Sequence, residues 1–277
     1  METFLEIDGL TVNYQKRGGA GGPAVDRVSL KLEKNEILVV VGESGSGKST
    51  LIRAVMGLLP RGGKITEGRI LIDGVDLAAL EPAILRSLRG RKIAMMFQDA
   101  RSYLNPRRKI GSQFVESLRG QLRIPAKEAR IIALDVLAGM HLPDPARVMD
   151  SYTFELSSGM CQRIAFAMAI SEYTKPELLL ADEPTSALDV MMQAQVIRQI
   201  LAYRERSGAA VILVTHNIGV AAYVADSIAV MQQGRLVEWG PRDQVILEPG
   251  HEYTRALLAA VPKMGALDRT GVEAYDG

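Results

Sequence analysis

The fold of this chain is decided by the stretch Gly42-Glu43-Ser44-Gly45-Ser46-Gly47-Lys48-Ser49-Thr50. This stretch matches G-x-x-x-x-G-K-[ST], the pattern of a loop that binds phosphate groups. Residues 37–41 before it form an uninterrupted apolar run, which predicts a buried strand. Residues 51–56 after it place apolar side chains on one face of a predicted helix. A strand, a glycine-rich loop and a helix in this order are the context that a P-loop requires.

Each part of the P-loop has a distinct expected role. The glycines allow successive backbone N–H groups to face a polyphosphate, and the N-terminus of the following helix adds positive potential. We expect Lys48 to reach the β- and γ-phosphates of a nucleotide and Ser49 to offer its hydroxyl to Mg²⁺. The predicted nucleotide-binding residues of the loop are Gly42, Ser44, Gly45, Gly47, Lys48, Ser49 and Thr50. The alternative, a glycine-rich turn without a ligand, would give the lysine and the hydroxyl no purpose.

The composition narrows the class of protein. The chain has 277 residues, of which 47% are hydrophobic, and this is enough for a sizeable core. The net charge of +1 gives no indication of a nucleic-acid partner. The single cysteine, Cys161, excludes a disulfide framework and a cysteine metal site. Because no apolar run approaches the roughly 18 residues of a membrane span and the N-terminus does not resemble a signal peptide, we expect a reduced, cytosolic protein.

Apolar runs along the chain predict a largely parallel α/β core. Strands are expected at 5–14, 28–32, 70–72, 93–97, 178–181 and 211–214, with helices in the remaining gaps and a last helix at about 252–261. Residues 105–152 differ, because their apolar side chains recur at helical spacing, and they predict a mainly helical insertion. Strands that alternate with helices favour a parallel sheet covered by helices.

Several predicted strands end in residues that are expected to complete a nucleotide site. The strand at 178–181 leads into Asp182 and Glu183. A carboxylate delivered beside a P-loop commonly holds Mg²⁺, directly or through water, and Asp182 is the candidate for that role. Glu183 is placed to polarise the attacking water, and His216 to approach the γ-phosphate. Gln98 is expected to contact Mg²⁺ or the water, although each of these residues alone would be an ordinary strand end.

Five motifs in this order resemble the ATPase subunit of an ATP-binding cassette (ABC) transporter. They are the P-loop at 42–50, Gln98, the signature Leu-Ser-Ser-Gly-Met at 156–160, the acidic strand end at 180–184 with Ser-Ala-Leu-Asp at 186–189, and His216. In addition, Tyr14 lies where the family places an aromatic ring against the adenine base. The resemblance extends over residues 5–262, which is almost the whole chain.

The resemblance implies a fold and a division of the chain. The fold is an α/β P-loop NTPase (RecA-like) core with an N-terminal antiparallel β portion and an inserted helical subdomain, which is the ABC ATPase fold. The ATPase domain is expected over residues 1–262, with the helical subdomain at about 105–170 and a C-terminal tail at 263–277.

The resemblance also implies an assembly and an activity. Two such subunits meet head to tail and enclose two ATP molecules, so Ser157 and Gly159 of the signature are expected to hold the γ-phosphate bound by the partner's P-loop. ATP hydrolysis with Mg²⁺ would drive two transmembrane permease subunits at the cytoplasmic face of the inner membrane. A solute-binding protein would take part indirectly.

Two segments resemble one branch of the family, which serves oligopeptide, dipeptide and nickel importers. They are residues 96–106 around Gln98 and the segment Gly-His-Glu-Tyr-Thr-Arg-Ala-Leu-Leu at 250–258. This branch implies small solutes such as peptides or nickel chelates as cargo, and it commonly pairs two different ATPases. The basic stretch 101–109 and the helical insertion are the expected docking side. Two alternatives stay open, a soluble ABC ATPase of DNA repair or translation and a carbon–phosphorus lyase component.

Ser158 departs from the family pattern, which usually has glycine at this position. If the backbone there needs the geometry of glycine, serine would strain the signature and weaken the partner's ATP site by about 1 kcal/mol. The alternative is that serine is tolerated and its hydroxyl caps the following helix.

Overall fold

The computed structural model describes residues 3–15, 22–98, 100–140, 142–171, 173–185 and 190–260. Three features singled out from the sequence lie outside these residues. They are Asp99, which follows Gln98, the Ser-Ala-Leu-Asp segment at 186–189, and the C-terminal tail at 263–277.

Two β-sheets form the framework. The strands are β1 Thr3–Tyr14, β2 Val25–Glu33, β3 Ile37–Val41, β4 Gly63–Ile72, β5 Val75–Asp76, β6 Ile93–Met96, β7 Leu178–Asp182, β8 Ala210–Thr215, β9 Ser227–Gln232 and β10 Arg235–Pro241. The smaller sheet is antiparallel in the order β2-β1-β4-β5. The larger has the order β10-β9-β3-β8-β7-β6 and is parallel except for β10. The predicted α/β core with an N-terminal antiparallel portion is confirmed.

Some of the helices pack against the larger sheet, and others form a helical group with a core of its own. The helices are α1 Lys48–Met56, α2 Pro82–Leu88, α3 Ala100–Tyr103, α4 Ile110–Leu122, α5 Ala126–Gly139, α6 Pro145–Asp150, α7 Ser158–Ala169, α8 Val190–Ser207, α9 Ile218–Val224, α10 Arg242–Leu247 and α11 Glu252–Ala259. Helices α4 to α7 share a hydrophobic cluster of their own, in which Phe114, Leu137 and Ile164 are fully buried. The bounds of the helical subdomain and of the ATPase domain stay predictions.

The strand that carries the P-loop lies in the middle of the larger sheet. β3 is flanked by β8 and β9, both parallel to it, and all five of its side chains are buried. Leu38 and Val40 face one hydrophobic cluster, whereas Ile37, Val39 and Val41 face the other. A parallel strand covered on both faces has no polar side, which is why residues 37–41 are uninterruptedly apolar.

The expectation that helices fill the gaps between residue 215 and the last helix was in part wrong. β9 and β10 form a hairpin in that stretch, and β9 extends the parallel sheet beside β3. The hairpin turns through Gln233 and Gly234, with φ values of +49° and +84°. Two successive positive φ values are typical of the tight turns that join antiparallel strands. The hairpin also supports the P-loop, because the amide of Gly234 donates a 3.0 Å hydrogen bond to the carbonyl oxygen of Ser46.

Among the residues described, no helix combines the length and the hydropathy that a membrane crossing requires.

Candidate nucleotide-binding site

The P-loop runs from the end of β3 to the start of α1 and lies close to neighbouring backbone. At Gly42, where φ is +152°, a Cβ atom would overlap the carbonyl oxygen of Met231 on β9. At Gly47, where φ is +101°, it would overlap the carbonyl oxygen of Ala24. Both positions therefore require glycine, and the loop is held in one shape by the strands behind it.

Lys48, the first residue of α1, points back into the loop. Its Nζ atom donates hydrogen bonds to the carbonyl oxygens of Gly42 and Glu43, each at 2.7 Å, and to Ser46 Oγ at 3.3 Å. Lys48 is only 3% exposed. Burial lowers the pKa of Lys48 from its ordinary value, and nearby carboxylates, Glu183 foremost, oppose that shift. Among the described residues, the ammonium has no hydrogen bond to a carboxylate. A phosphate would be a stronger partner for it than two carbonyl groups.

Ser49 and Asp182 bring two oxygen groups together beside the loop. Ser49 Oγ donates a 2.7 Å hydrogen bond to Asp182 Oδ1. Asp182, at the end of β7, is fully buried, and its second carboxylate oxygen forms an ion pair of 3.3 Å with Arg53 Nη2. Oxygen ligands from a hydroxyl and a carboxylate are those that Mg²⁺ prefers. These two residues therefore fit the metal that the P-loop chemistry requires.

Glu183 stands at the centre of the three residues predicted to be catalytic. Its Oε2 atom accepts a 3.2 Å hydrogen bond from Gln98 Nε2 and lies 3.3 Å from His216 Nδ1. The backbone of Glu183 has a φ of +44°, which is uncommon for a residue with a side chain. Its amide donates a 3.0 Å hydrogen bond to the carbonyl oxygen of Val214 on β8. The ends of β6, β7 and β8 thus bring three residues from distant parts of the chain into one group.

The P-loop and the group formed by Gln98, Glu183 and His216 line one cavity of about 730 Å³, a size typical of small-molecule sites. The described residues that line it are Ala24, Glu43, Ser44, Gly45, Gly47, Lys48, Ser49, Thr50, Gln98, Glu183, His216 and Leu257. Most of the P-loop residues predicted from the sequence and all three predicted catalytic residues are therefore on its wall.

Five predicted site residues are not among the described residues on this wall, namely Gly42 and Asp182, whose contacts are given above, and Tyr14, Ser157 and Gly159. The hydroxyl oxygen of Tyr14 is 3.4 Å from Thr50 Oγ1, which places this residue beside the P-loop helix. Ser157 caps α7, because its Oγ atom accepts a 3.2 Å hydrogen bond from the amide of Met160. Neither Ser157 nor Gly159 is among the described residues that line the cavity. The roles of Tyr14, Ser157 and Gly159 in binding ATP stay predictions.

The structure contradicts the hypothesis that the backbone at position 158 needs the left-handed conformation favoured by glycine, and the effect of Ser158 on the partner's ATP site stays a prediction. Ser158 is the first residue of α7, and it is absent from the residues described with a positive φ. Serine adopts helical φ and ψ values without the strain that a left-handed conformation would impose. The alternative also needs correction, because the residue whose side chain caps the helix is Ser157 and not Ser158.

Three contacts at this site were missed by the sequence reasoning. Arg53 forms an ion pair with Asp182. Arg53 lies four residues after Ser49 on α1, and this spacing, which places both side chains on one face of the helix, could have indicated the contact. Gln162 on α7 donates a 2.8 Å hydrogen bond to the carbonyl oxygen of Pro184, the residue after Glu183. Tyr253 on α11 accepts a hydrogen bond from the P-loop. The last two contacts had no local signal in the sequence.

Comparison with known proteins places this geometry in a family. Residues 25–186 match the model of the ABC transporter family. The chain is 41% identical over 274 residues to the dipeptide transport ATP-binding protein DppD of Bacillus subtilis (strain 168), with 99% of this chain and 80% of the relative covered. It is 38% identical over 275 residues to the oligopeptide transport ATP-binding protein OppD of the same organism, with 99% and 76% covered.

Solved structures agree with the sequence comparison. The dimeric post-hydrolysis state of the ATP-binding cassette MJ0796 bound to ADP and phosphate has a TM-score of 0.74 and 27% identity, and covers 86% of this chain and 98% of that one. The structure of cbiO1 from Clostridium perfringens, part of the ABC transporter complex cbiONQ, has a TM-score of 0.71 and 26% identity, with 89% and 92% covered. The chain therefore belongs to the ABC transporter family and is an ATP-hydrolysing subunit of that family.

Proposed function

We propose that this chain is the motor of an importer for small solutes and that Glu183 orients the water that attacks ATP. The observation that carries the proposal is the position of the Glu183 carboxylate between Gln98 and His216, on the wall of the P-loop cavity. A carboxylate that faces the phosphate-binding loop, with two polar side chains at its oxygen atom, has the arrangement expected for a water-orienting group.

Mg²⁺ is the proposed metal of the site, with Ser49 and Asp182 as the residues that hold it. When bound, Mg²⁺ neutralises charge on the phosphate oxygens of the nucleotide. The hydrogen bond between Ser49 and Asp182 supports this assignment, because it shows that the two oxygen atoms converge. Arg53 keeps the second Asp182 oxygen paired, which fixes the orientation of the carboxylate.

The chemistry assigned to this chain is positioning and charge stabilisation. Lys48 and the P-loop amides bind the β- and γ-phosphates, and the loop is preorganised by contacts at Gly42 and Gly47. His216 and Gln98 share the Glu183 carboxylate and complete the side of the site that faces the γ-phosphate. Tyr14 is proposed to stack on the adenine base.

Peptides are the proposed cargo class. Two relatives that match almost all of this chain are named for dipeptide and oligopeptide transport, and a third for glutathione import. Metal chelates such as those of nickel are also compatible with the segment at 250–258. The proposed location is the cytoplasmic face of the inner membrane, because ATP is available there to a peripheral subunit.

The proposed partners are two permease subunits, a second ABC ATPase that is a different chain, and indirectly a solute-binding protein. In the proposed dimer, Ser157 and Gly159 face the γ-phosphate at the partner's P-loop. The cap that Ser157 forms on α7 supports this role, since the start of a helix is a favourable place for an anion.

The docking side for the permeases is predicted to include the basic stretch 101–109. Arg107 is exposed there, so Arg107→Cys is expected to crosslink to a permease in the assembled transporter. Cys161 is buried and gives little background. A cysteine at Lys31, exposed on β2 of the antiparallel sheet, is the matched control and should not crosslink. Crosslinks from position 31 alone would contradict the proposed docking side.

Ser158→Gly is expected to change ATP turnover by less than about twofold, because the helical backbone at this position does not require glycine. Glycine in the first turn of α7 should lower the free energy of unfolding slightly, by no more than about 1 kcal/mol. Turnover of the assembled transporter and the midpoint of thermal unfolding measure the two effects. A severalfold rise in turnover would restore the hypothesis that serine weakens the partner's site.

A further inference from the structure

The C-terminal helix α11 contacts the P-loop directly. Tyr253 in its first turn is 8% exposed, and its hydroxyl oxygen accepts a 3.0 Å hydrogen bond from the backbone amide of Glu43, which is 210 residues away in the chain. Leu257, one helical turn further along, lines the nucleotide cavity. The match to the family model ends at residue 186 and therefore assigns α11 no role at the site.

The hydrogen bond to Tyr253 acts on a single peptide group of the P-loop. This group joins Gly42 to Glu43, and its carbonyl oxygen accepts the 2.7 Å hydrogen bond from Lys48 Nζ. The N–H side of the peptide is thus held by Tyr253 and the C=O side by Lys48. Since Gly42 has no side chain to restrict its backbone, the tyrosine hydroxyl supplies a restraint that the glycine lacks.

The start of α11 is in turn fixed to the larger sheet. Glu238 on β10 accepts hydrogen bonds from the amides of Gly250 at 2.7 Å and His251 at 3.1 Å. His251 Nδ1 then accepts a 3.1 Å hydrogen bond from the amide of Tyr253. Burial raises the pKa of Glu238, but the hydrogen bonds from the backbone amides of Gly250 and His251 help to hold it below its ordinary value. The carboxylate of Glu238 on the sheet therefore fixes the position of Tyr253 relative to the P-loop.

We propose that Tyr253 is a positioning residue for ATP binding, whose hydroxyl holds the Gly42–Glu43 peptide so that Lys48 is presented to the phosphates. The inference rests on the proposed binding of ATP at the P-loop. Burial raises the pKa of Tyr253, so the hydroxyl stays protonated and neutral at physiological pH. ATP affinity then depends on the docked position of α11, an element that lies beyond the residues matched by the family model.

The test compares Tyr253→Phe with Tyr203→Phe in the full chain, assembled with its permeases. Tyr203 is a matched control, because it is 5% exposed and its hydroxyl donates a 2.8 Å hydrogen bond to the carbonyl oxygen of Pro176. We expect Tyr253→Phe to raise KM for ATP about three- to tenfold, as the loss of one net hydrogen bond would, and to leave kcat within about twofold of the parent. Tyr203→Phe should lower the melting temperature and leave KM unchanged.

Hydrogen–deuterium exchange of the Glu43 amide gives a second measurement that does not depend on turnover. The amide should exchange faster in Tyr253→Phe than in the parent, and Tyr203→Phe should match the parent. An unchanged KM, an unchanged exchange rate, or a loss confined to kcat in Tyr253→Phe would overturn the inference. Undiminished hydrolysis in Lys48→Ala would overturn the proposed function instead, so the two failures are distinguishable.

Discussion

Lys48→Ala is expected to lower the rate of ATP hydrolysis by about 100- to 1,000-fold, the usual cost of removing a preorganised donor from a reacting site. The lysine is buried and bridges the carbonyl oxygens of Gly42 and Glu43, so its loss removes both the charge that faces the phosphates and the link that closes the loop. Nucleotide affinity should fall as well. The measurements are kcat and KM in the permease-bound complex, with nucleotide binding measured separately.

Lys34→Ala is the control for the loss of a lysine. Lys34 is 61% exposed and lies 3.8 Å from Asp73 and 3.9 Å from Glu177, which are ion pairs at the surface. Such pairs contribute about 0–1 kcal/mol to stability, so the activity of this variant should match that of the parent. Hydrolysis at the parent rate in Lys48→Ala would remove the P-loop from the mechanism.

The parts of the site that could be predicted are those encoded in contiguous residues. The P-loop needs particular residue types at fixed spacing, and the apolar run 37–41 before it needs no tertiary information to indicate a buried strand. Asp182 and Glu183 were predicted because they follow an apolar run, and parallel strands bring their carboxyl ends to one edge of the sheet. Gln98 and His216 also follow apolar runs and were predicted at the nucleotide site, and the structure brings both within hydrogen-bonding distance of Glu183.

The parts that could not be predicted depend on contacts between distant elements. Gln162 reaches Pro184 only because α7 packs beside the end of β7, and a lone glutamine on a helix gives no indication of this. Tyr253 was part of a recognised segment, but its contact with Glu43 depends on how α11 folds back over the loop. The β9–β10 hairpin did have a local signal, the dipeptide Gln233-Gly234 after an apolar run, and it was missed because helices were expected there.

Glu183→Gln is expected to lower kcat by about 100- to 10,000-fold, the range of general acid–base catalysis, and to preserve ATP binding. Glutamine has almost the same shape as glutamate, so Lys48, Ser49 and Asp182 should keep their contacts with one another and with the loop. Without the carboxylate, the attacking water would lose the group that we propose polarises it. The variant should therefore accumulate as an ATP-bound, closed dimer, which size-exclusion chromatography with ATP would detect together with turnover.

Glu177→Gln is the matched control, because Glu177 immediately precedes the same strand, β7, at its opposite end. Its side chain is 48% exposed and lies 3.9 Å from Lys92 and from Lys34, so the change should leave turnover unaffected. The backbone conformation of Glu183 also supports a special role for this residue, in contrast to Glu177. Glu183 is held at a φ of +44°, a conformation that costs about 1–3 kcal/mol and persists where the surroundings enforce it. Rapid turnover in Glu183→Gln, with the dimer still opening and closing, would show that the Glu183 carboxylate does not orient the attacking water.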